Sequence, residues 1–327
     1  MNTISLISAR IAAVLSIGLL SVAAPAQQYP VKPVRVIAAY PPGAGPDTVL
    51  RTVGDKLARY WGQTLVVENR PTGNGLIAVE AVKRAAADGY NLLLADNAHL
   101  SAHPHLYKQL PYDTTNDFVP VAMLFQTYFF IVVPANSPWK NIGDMVAAAK
   151  AKDGKMTYGS WGIGSIGHIA VAMFETATNT RMTHIPYQGT TMVYPAVGNG
   201  EIDWALGSVA SSSAVYRAGK VRYLAAASPK RIVGFPDIPT VAELGGPADF
   251  EARGWVALMA PRGTPAEIVA KVNADVVRAL NESDVKERLN AIGFEPYPSE
   301  SAEIARAMGI ESRRFGEIIK RAKISLD

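Results

Sequence analysis

Cysteine is absent from the 327-residue chain. That excludes a disulfide-stapled fold and a lipoprotein anchored through a cysteine. Charge is also scarce. Only 18% of residues are charged against 49% hydrophobic, which marks a globular chain. No run of Lys and Arg occurs. The formal charge of +4 becomes +3 once Arg10, the one charged side chain in residues 1–26, is removed. So weak and scattered a positive balance fits an anionic ligand and excludes a nucleic-acid partner. No Gly-Lys-Ser or Gly-Lys-Thr occurs, so there is no P-loop. Beyond the first residues no stretch is long and apolar enough to span a membrane. The chain has neither a short internal repeat nor a low-complexity segment.

The N-terminus reads as an export signal. Arg10 gives a positive start, Ile11 to Leu20 is apolar, and Ala24-Pro25-Ala26 ends the segment with small residues. The expectation is cleavage after Ala26, a mature start at Gln27, and a periplasmic location if the cell is Gram-negative. The remaining length suffices for two domains, each with its own core.

The stretch that organises the chain is Tyr158-Gly159-Ser160-Trp161-Gly162-Ile163-Gly164-Ser165-Ile166-Gly167-His168. A β-type run, Met156 to Gly159, precedes it, and a helix-forming run, Ile169 to Phe174, follows. Glycine-rich backbone at a helix start leaves N–H groups free, and the helix dipole adds partial positive charge. Such a turn favours a phosphate or carboxylate, and the hydroxyls of Ser160 and Ser165 could add donors. A plain strand–helix turn fits these residues as well.

A second unit of this kind lies earlier. Val34 to Ala39 reads as a buried strand, and Tyr40-Pro41-Pro42-Gly43-Ala44-Gly45-Pro46-Asp47 as a loop richer in Gly and Pro than an ordinary connection. Leu50, Val53, Leu57 and Trp61 then mark one face of a helix. Strand Leu65 to Glu68, helix Leu76 to Ala86 and strand Asn91 to Ala95 complete a βαβαβ alternation, which implies a mostly parallel sheet. Asn97 sits just past a strand end, where ligands of open parallel sheets are found. His99, His103 and His105 suggest a metal site. Pro104 breaks any helical spacing, however, and no Cys or nearby carboxylate completes a set, so packed or solvated histidines fit better. Val121 to Phe125 and Phe129 to Val133 are two further strand-like runs. A second α/β series follows, with Tyr187 in the loop 186–189 and Ser208 opening a small-residue helix. Pro229, Pro236 and Pro239 resemble a linker, and Thr264-Pro265-Ala266-Glu267 a capping box ahead of helices read as structural.

Enzyme readings find little support. Gly162 to Gly167 spells G-x-G-x-x-G, but the acidic residue a dinucleotide site needs about twenty residues on is missing from 181–187. Ser160 and Ser165 both miss the G-x-S-x-G pattern of a nucleophile elbow. His168, three residues after Ser165, could be read as a base, yet a histidine there more often packs or bonds locally. No cofactor is implied, and the rival readings are an exported α/β hydrolase and a carboxylate sensor not coupled to transport.

The loops in order resemble one family: Tyr-Pro-Val-Lys-Pro-Val-Arg at 29–35, Pro41-Pro42-Gly43 with Asp47, Val67-Glu68-Asn69-Arg70-Pro71, Asp88-Gly89-Tyr90, Leu110-Pro111-Tyr112-Asp113, Asp117-Phe118, Pro186-Tyr187-Gln188-Gly189, Pro239-Thr240-Val241-Ala242-Glu243 and Ala260-Pro261-Arg262-Gly263-Thr264-Pro265. The set is similar to the substrate-binding receptors of tripartite tricarboxylate transporters, the Bug receptors, over the whole mature chain. The resemblance implies an α/β, two-domain periplasmic-binding fold of type II, each domain a mostly parallel sheet flanked by helices. Domain 1 would be 27–125 plus 229–327 and domain 2 would be 126–228. It implies a monomer without catalysis, metal or cofactor, membrane permease subunits as partners, and a carboxylate gripped between two loops. Those loops map here as Tyr40 to Asp47, with Gly43 and Ala44 as the water-bridged backbone positions, and Ser160 to Ser165, with Tyr187 and Ser208 on neighbouring loops. Asn97 and His168 complete the candidate ligand-binding set. Departures bear on the ligand. Trp161 stands where the family often has a small hydroxyl residue, Ile163 and Ile166 are bulky and apolar, Gly164 keeps the turn, and Gly207 replaces an Asp that would pair an ammonium. The expectation is a carboxylate with a flat or apolar body, with Trp161 either stacking on it or serving as a wall residue.

Overall fold

The computed structural model describes residues 29–326. The expected export segment, with its cleavage after Ala26, lies outside the described residues.

Short runs of β-branched and apolar residues form the first half. β1 (Val34–Ala38) pairs in parallel with β2 (Leu65–Asn69) and with β3 (Asn91–Asp96). The crossovers are α1 (Gly45–Trp61) and α2 (Leu76–Lys83). α1 starts with Pro near its N-terminus and buries Val49, Leu50, Val53 and Leu57 along one face, as the 3.6-residue spacing requires. It stops at Gly62, whose φ of 62° lets the chain reverse without a Cβ clash. After β3 come a π-helical turn (Ala98–Ala102) and the short α3 (His103–Leu106). Pro104 does not break this segment, because it occupies the first turn of α3, where no N–H partner is lost.

The two runs expected around Val121 and Phe129 are one strand, β4 (Phe118–Pro134). They join because Gln126, Thr127 and Tyr128 keep pairing, with Trp255, Gly254 and Arg253 of β9 (Arg253–Pro261). From Phe129 onward β4 changes partner to β8 (Val221–Ala227) and β7 (Trp204–Gly207). α4 (Ile142–Ala151) is capped by Asn141, whose side chain accepts from the Asp144 amide at 2.8 Å. β5 (Thr157–Ser160) then pairs in parallel with β6 (Thr183–Pro186) and β7. α5 (Ile166–Thr178), α6 (Thr190–Gly198) and α7 (Val209–Arg217) connect these strands.

The sheet runs β2-β1-β3-β9-β4-β7-β5-β6, with β8 and β10 (Glu295–Pro296) also on β4. The chain after the proline-rich stretch thus returns to the first half, since β9 inserts between β3 and β4. The proline-rich stretch is not a loose linker. Val241 and Phe250 are buried, and the Val241 amide donates to Ala226. α8 (Ala266–Asn281), α9 (Ser283–Ala291) and α10 (Ser301–Ala322) finish the chain, α10 burying Ile304, Met308, Phe315 and Ile319. The capping box expected at Thr264 does not form. Pro265 is extended, at ψ 136°, and the Thr264 hydroxyl bonds back to the Pro261 carbonyl. The reciprocal pair forms instead between Thr240 and Glu243. The result is an α/β fold in which β1, β2 and β3 and likewise β5, β6 and β7 pair in parallel, β9 and β4 join the two sets by antiparallel pairing, and helices flank the curled sheet. Among the described residues no helix is long and apolar enough to cross a membrane.

Candidate functional site

Parallel pairing sets the candidate residues side by side. β5 ends at Ser160, opposite Pro186 of β6, and β7 ends at Gly207, so Ser160, Tyr187 and Ser208 emerge at neighbouring strand ends. The Tyr187 amide donates to the Ser160 carbonyl at 2.9 Å. In the other half Ala38 pairs with Asn69 and with Leu94, which sets Tyr40 and Asn97 past adjacent ends.

The first loop is held by a charged clasp. Asp47 is buried, and its carboxylate accepts from the Gly43 amide (2.9 Å), Asn69 Nδ2 (2.8 Å) and Nε and Nη2 of Arg51. Burial would raise the Asp47 pKa, but these donors outweigh it and hold the carboxyl below its usual range. The Ala44 amide donates to Pro41 O at 3.2 Å. Asp47 therefore serves the loop's own shape, and the Gly43 and Ala44 amides both already have partners inside it. Gly43 requires its residue type, with φ at 78°. Tyr40 turns its ring edge to His99 at 5.9 Å. Among the described residues its buried hydroxyl finds no well-formed hydrogen bond and lies near the Asp96 carboxylate. Burial first, and the neighbouring Asp96 carboxylate second, push its pKa well up.

The second loop is held by neutral groups. The Gly162 carbonyl accepts from the Ser160 hydroxyl (2.9 Å), the Ser165 hydroxyl (2.7 Å) and the Ser165 amide (3.2 Å). Both serine hydroxyls, expected to add donors for an anion, thus close the loop on itself through the shared acceptor Gly162 O. Ser165 is also the N-cap of α5, accepting from the His168 amide at 3.3 Å. The Gly164 amide donates to His168 Nδ1 at 3.2 Å, which fixes that imidazole as neutral with its proton on Nε2. His184 stacks on His168 with centroids 3.8 Å apart, and its Nε2 lies 2.7 Å from Ser160 Oγ. Burial pulls the His168 pKa down to about 3, helped by His184, and burial pulls His184 down to about 4. With its hydroxyl proton on Gly162 O, Ser160 accepts from His184. It is completely buried. Trp161 lies flat against Gly167, where a Cβ would come within 2.6 Å of the indole, and tilts on Phe129 at 5.4 Å. Ile163 is exposed.

The loops share a neighbour, the helical segment 98–106. Tyr40 meets His99 on it, and Gly164, at φ 74°, packs so closely on Leu106 that a Cβ would lie 2.6 Å from Leu106 Cδ1. The segment is stiff. Asp96 Oδ1 accepts from the amides of Ala98 and His99 and lies 2.5 Å from His99 Nδ1. Burial would raise the Asp96 pKa, but His99 outweighs it and holds it at about 2. Tyr112 donates to His99 O, so His103 Nδ1 donates to the Tyr112 oxygen at 2.8 Å. His105 bonds Ser312. Among the described residues no group of three His, Cys, Asp or Glu is set to hold a metal ion.

Two candidates lie deeper than expected. Asn97 is fully buried and donates to Arg253 O (3.1 Å) and Glu311 Oε2 (3.0 Å). Glu311 also binds Arg253 and Trp255 Nε1, so Asn97 belongs to a clasp between β3, β9 and α10. The Ser208 hydroxyl pairs with Ser211 Oγ at 3.0 Å, at the start of α7. Sequence reasoning missed His184, Asp96 and Glu311. Only the β5–β6 register, which sets Tyr158 opposite His184, could have flagged His184. The cavities beside Arg253 and Arg314, and beside Arg51 and Val67, are lined by neither loop.

Known proteins are similar to this chain over most of its length. The model of the family described as "Tripartite tricarboxylate transporter family receptor" matches residues 49–324. Protein BugT of Bordetella pertussis is 30% identical over 93% of this chain and 94% of its own length. R. palustris Rpa4515, solved with adipate, superposes with a TM-score of 0.82 at 28% identity, over 91% of this chain and 99% of that one. MatC from Rhodopseudomonas palustris, with bound malate, gives 0.78 at 29% identity, over 89% and 100%.

Proposed function

This chain belongs to the tripartite tricarboxylate transporter receptor family, and we propose that it captures a small organic carboxylate in the periplasm and delivers it to a permease of that transporter type. It works as a monomer, after removal of residues 1–26. The carboxylate is held between two lobes, 27–125 with 229–327 and 126–228. The observation that carries the reading is the convergence of two Gly-bearing loops, each opening a helix, on one stiff segment: Tyr40 on His99 and Gly164 on Leu106. Relatives of closely similar fold hold adipate and malate.

The mechanism is binding without chemistry. A carboxylate leaves water only if donors replace its hydration. The helix starts of α1, α5 and α7 bring partial positive charge, and the amides of Trp161 and Ile163, which the second loop's own bonds do not use, and the Tyr187 hydroxyl bring N–H and O–H groups. The loops are closed by their own hydrogen bonds before the anion arrives, so little ordering remains to be done on binding. Ligand then favours the closed state by its differential affinity. The body of the ligand is flat or apolar. Trp161, Ile163 and Ile166 support this. Gly207 supports it too, since a Cβ there would lie 2.6 Å from the Tyr194 ring, leaving no room for an ammonium-pairing acid. A thermal-shift panel of aliphatic acids, aromatic acids, glutamate and aspartate tests the reading. Stabilisation by apolar-bodied mono- or dicarboxylates is expected. Stabilisation by the amino acids alone would overturn it.

A further inference from the structure

The turn Gly293-Phe294, in the helical tail that sequence alone reads as structural, lies between two of the helix starts just named. Phe294 is buried and stacks on Phe125 of β4, centroids 4.2 Å apart and 18° between planes. The far end of its ring faces Gly45, the first residue of α1, so closely that a Cβ on Gly45 would lie 2.6 Å from Phe294 Cζ. On the other side Gly293, at φ 74°, abuts Val209, the first residue of α7, and a Cβ there would lie 2.4 Å from Val209 Cβ. The turn is fastened to β4. Thr127 Oγ1 donates to Gly293 O at 3.1 Å, and Glu295 pairs with Gln126. One residue further, between Tyr128 and Phe129, β4 changes partner from β9 to β8. The turn is therefore pinned where the two halves of the sheet meet, with a helix start of each half against it.

We propose that Gly293-Phe294 is a wedge that fixes the separation of the α1 and α7 starts, and with it the positions of Ala44 and Ser208 during carboxylate capture. This rests on the two-lobe reading above. Closely packed interiors respond to one added methyl by displacement. Glycine at 45 and 293 is what lets the two helices approach the wedge. Any closing motion of the lobes slides α1 or α7 over this turn, so Gly293 and Phe294 act as positioning residues without touching ligand.

The chain has no cysteine, so a labelled pair can be introduced cleanly, with Asp55→Cys on α1 and Ala214→Cys on α7, both exposed. Spin-label distances between them are measured with and without Gly45→Ala, Phe294→Leu, or both, and adipate affinity is measured by calorimetry on the same proteins without the labels. Gly45→Ala should lengthen the mean distance and weaken adipate by about tenfold. Phe294→Leu alone should shorten the distance. The double variant, in which the shorter side chain makes room for the new methyl, should regain the wild-type distance and affinity. A distance unmoved in both single variants overturns the proposal. So does a lengthening that Phe294→Leu fails to reverse, which would assign the effect to the α1 start itself. If Gly45→Ala does not fold, Phe294→Leu decides alone, a shorter distance supporting the wedge and an unchanged one overturning it. If the unsubstituted chain binds no adipate, that result counts against this acid as ligand, while the distances still decide the wedge.

Discussion

The two loops that open α1 and α5 solve one problem with opposite chemistry. The first is tied by a buried carboxylate, Asp47, to Arg51, Asn69 and the Gly43 amide. The second is tied by two serines and two neutral imidazoles around Gly162 O and Gly164 N. A loop meant for an anion gains from Arg51 behind it only in part, because Asp47 already balances that charge. The second loop carries no side-chain charge of either sign, and the anion would meet there only partial charges from backbone and helix. The difference teaches that a charged clasp and a neutral one can both hold a turn rigid, while responding to acid in separate ranges.

Acid should separate them most. His168 and His184 have folded pKa values of about 3 and about 4, below the ordinary histidine value, so the unfolded chain binds more protons between there and about pH 6.5. Stability must then fall as pH drops below about 6.5, by on the order of a few kcal/mol before pH 4, mostly from His168, because solvent screens the partly exposed His184. Asp47, with its lowered pKa, keeps its contribution above the ordinary carboxylate value and loses it only as pH falls further. Urea unfolding against pH checks this. His168→Gln should flatten the slope between pH 6.5 and 4, and parallel curves would refute the assignment. Next in size, Gly164→Ala meets both a φ of 74° and the Leu106 side chain, and should cost about 3 kcal/mol by urea unfolding. Asp47→Ala frees a half-exposed Arg51 but strands the Gly43 amide, for about 2 kcal/mol. Ser165→Ala removes the α5 cap and one of three bonds to Gly162 O, for about 1 kcal/mol of stability, with a loss of carboxylate affinity read by calorimetry. A drop larger for Ser165→Ala than for Gly164→Ala would reverse the ranking and break the account of what holds the second loop.

Much of this was legible in the sequence, and the reasons are local. β1 and β3 announce themselves as apolar runs, and α1 by the spacing of Leu50, Val53 and Leu57. Gly43 and Gly164 stand where the backbone needs positive φ. What could not be read depends on partners distant in sequence. Nothing near Gln126 says that β4 continues, since that follows from pairing with Trp255. Nothing near Asn97 tells that its Nδ2 will donate to Glu311, contributed by the last helix. The serine hydroxyls looked like donors for an anion because no sequence pattern tells where Gly162 O will turn. His184 was hidden in a strand whose register alone brings it under the second loop.

The central claim is that the loops 40–47 and 160–165 together replace the water around one carboxylate. A crystal structure of the chain grown with a stabilising acid tests it most directly. The account predicts a carboxylate group within hydrogen-bond reach, direct or through one water, of both loops. A bound acid whose carboxylates contact neither loop, or only one, would contradict it.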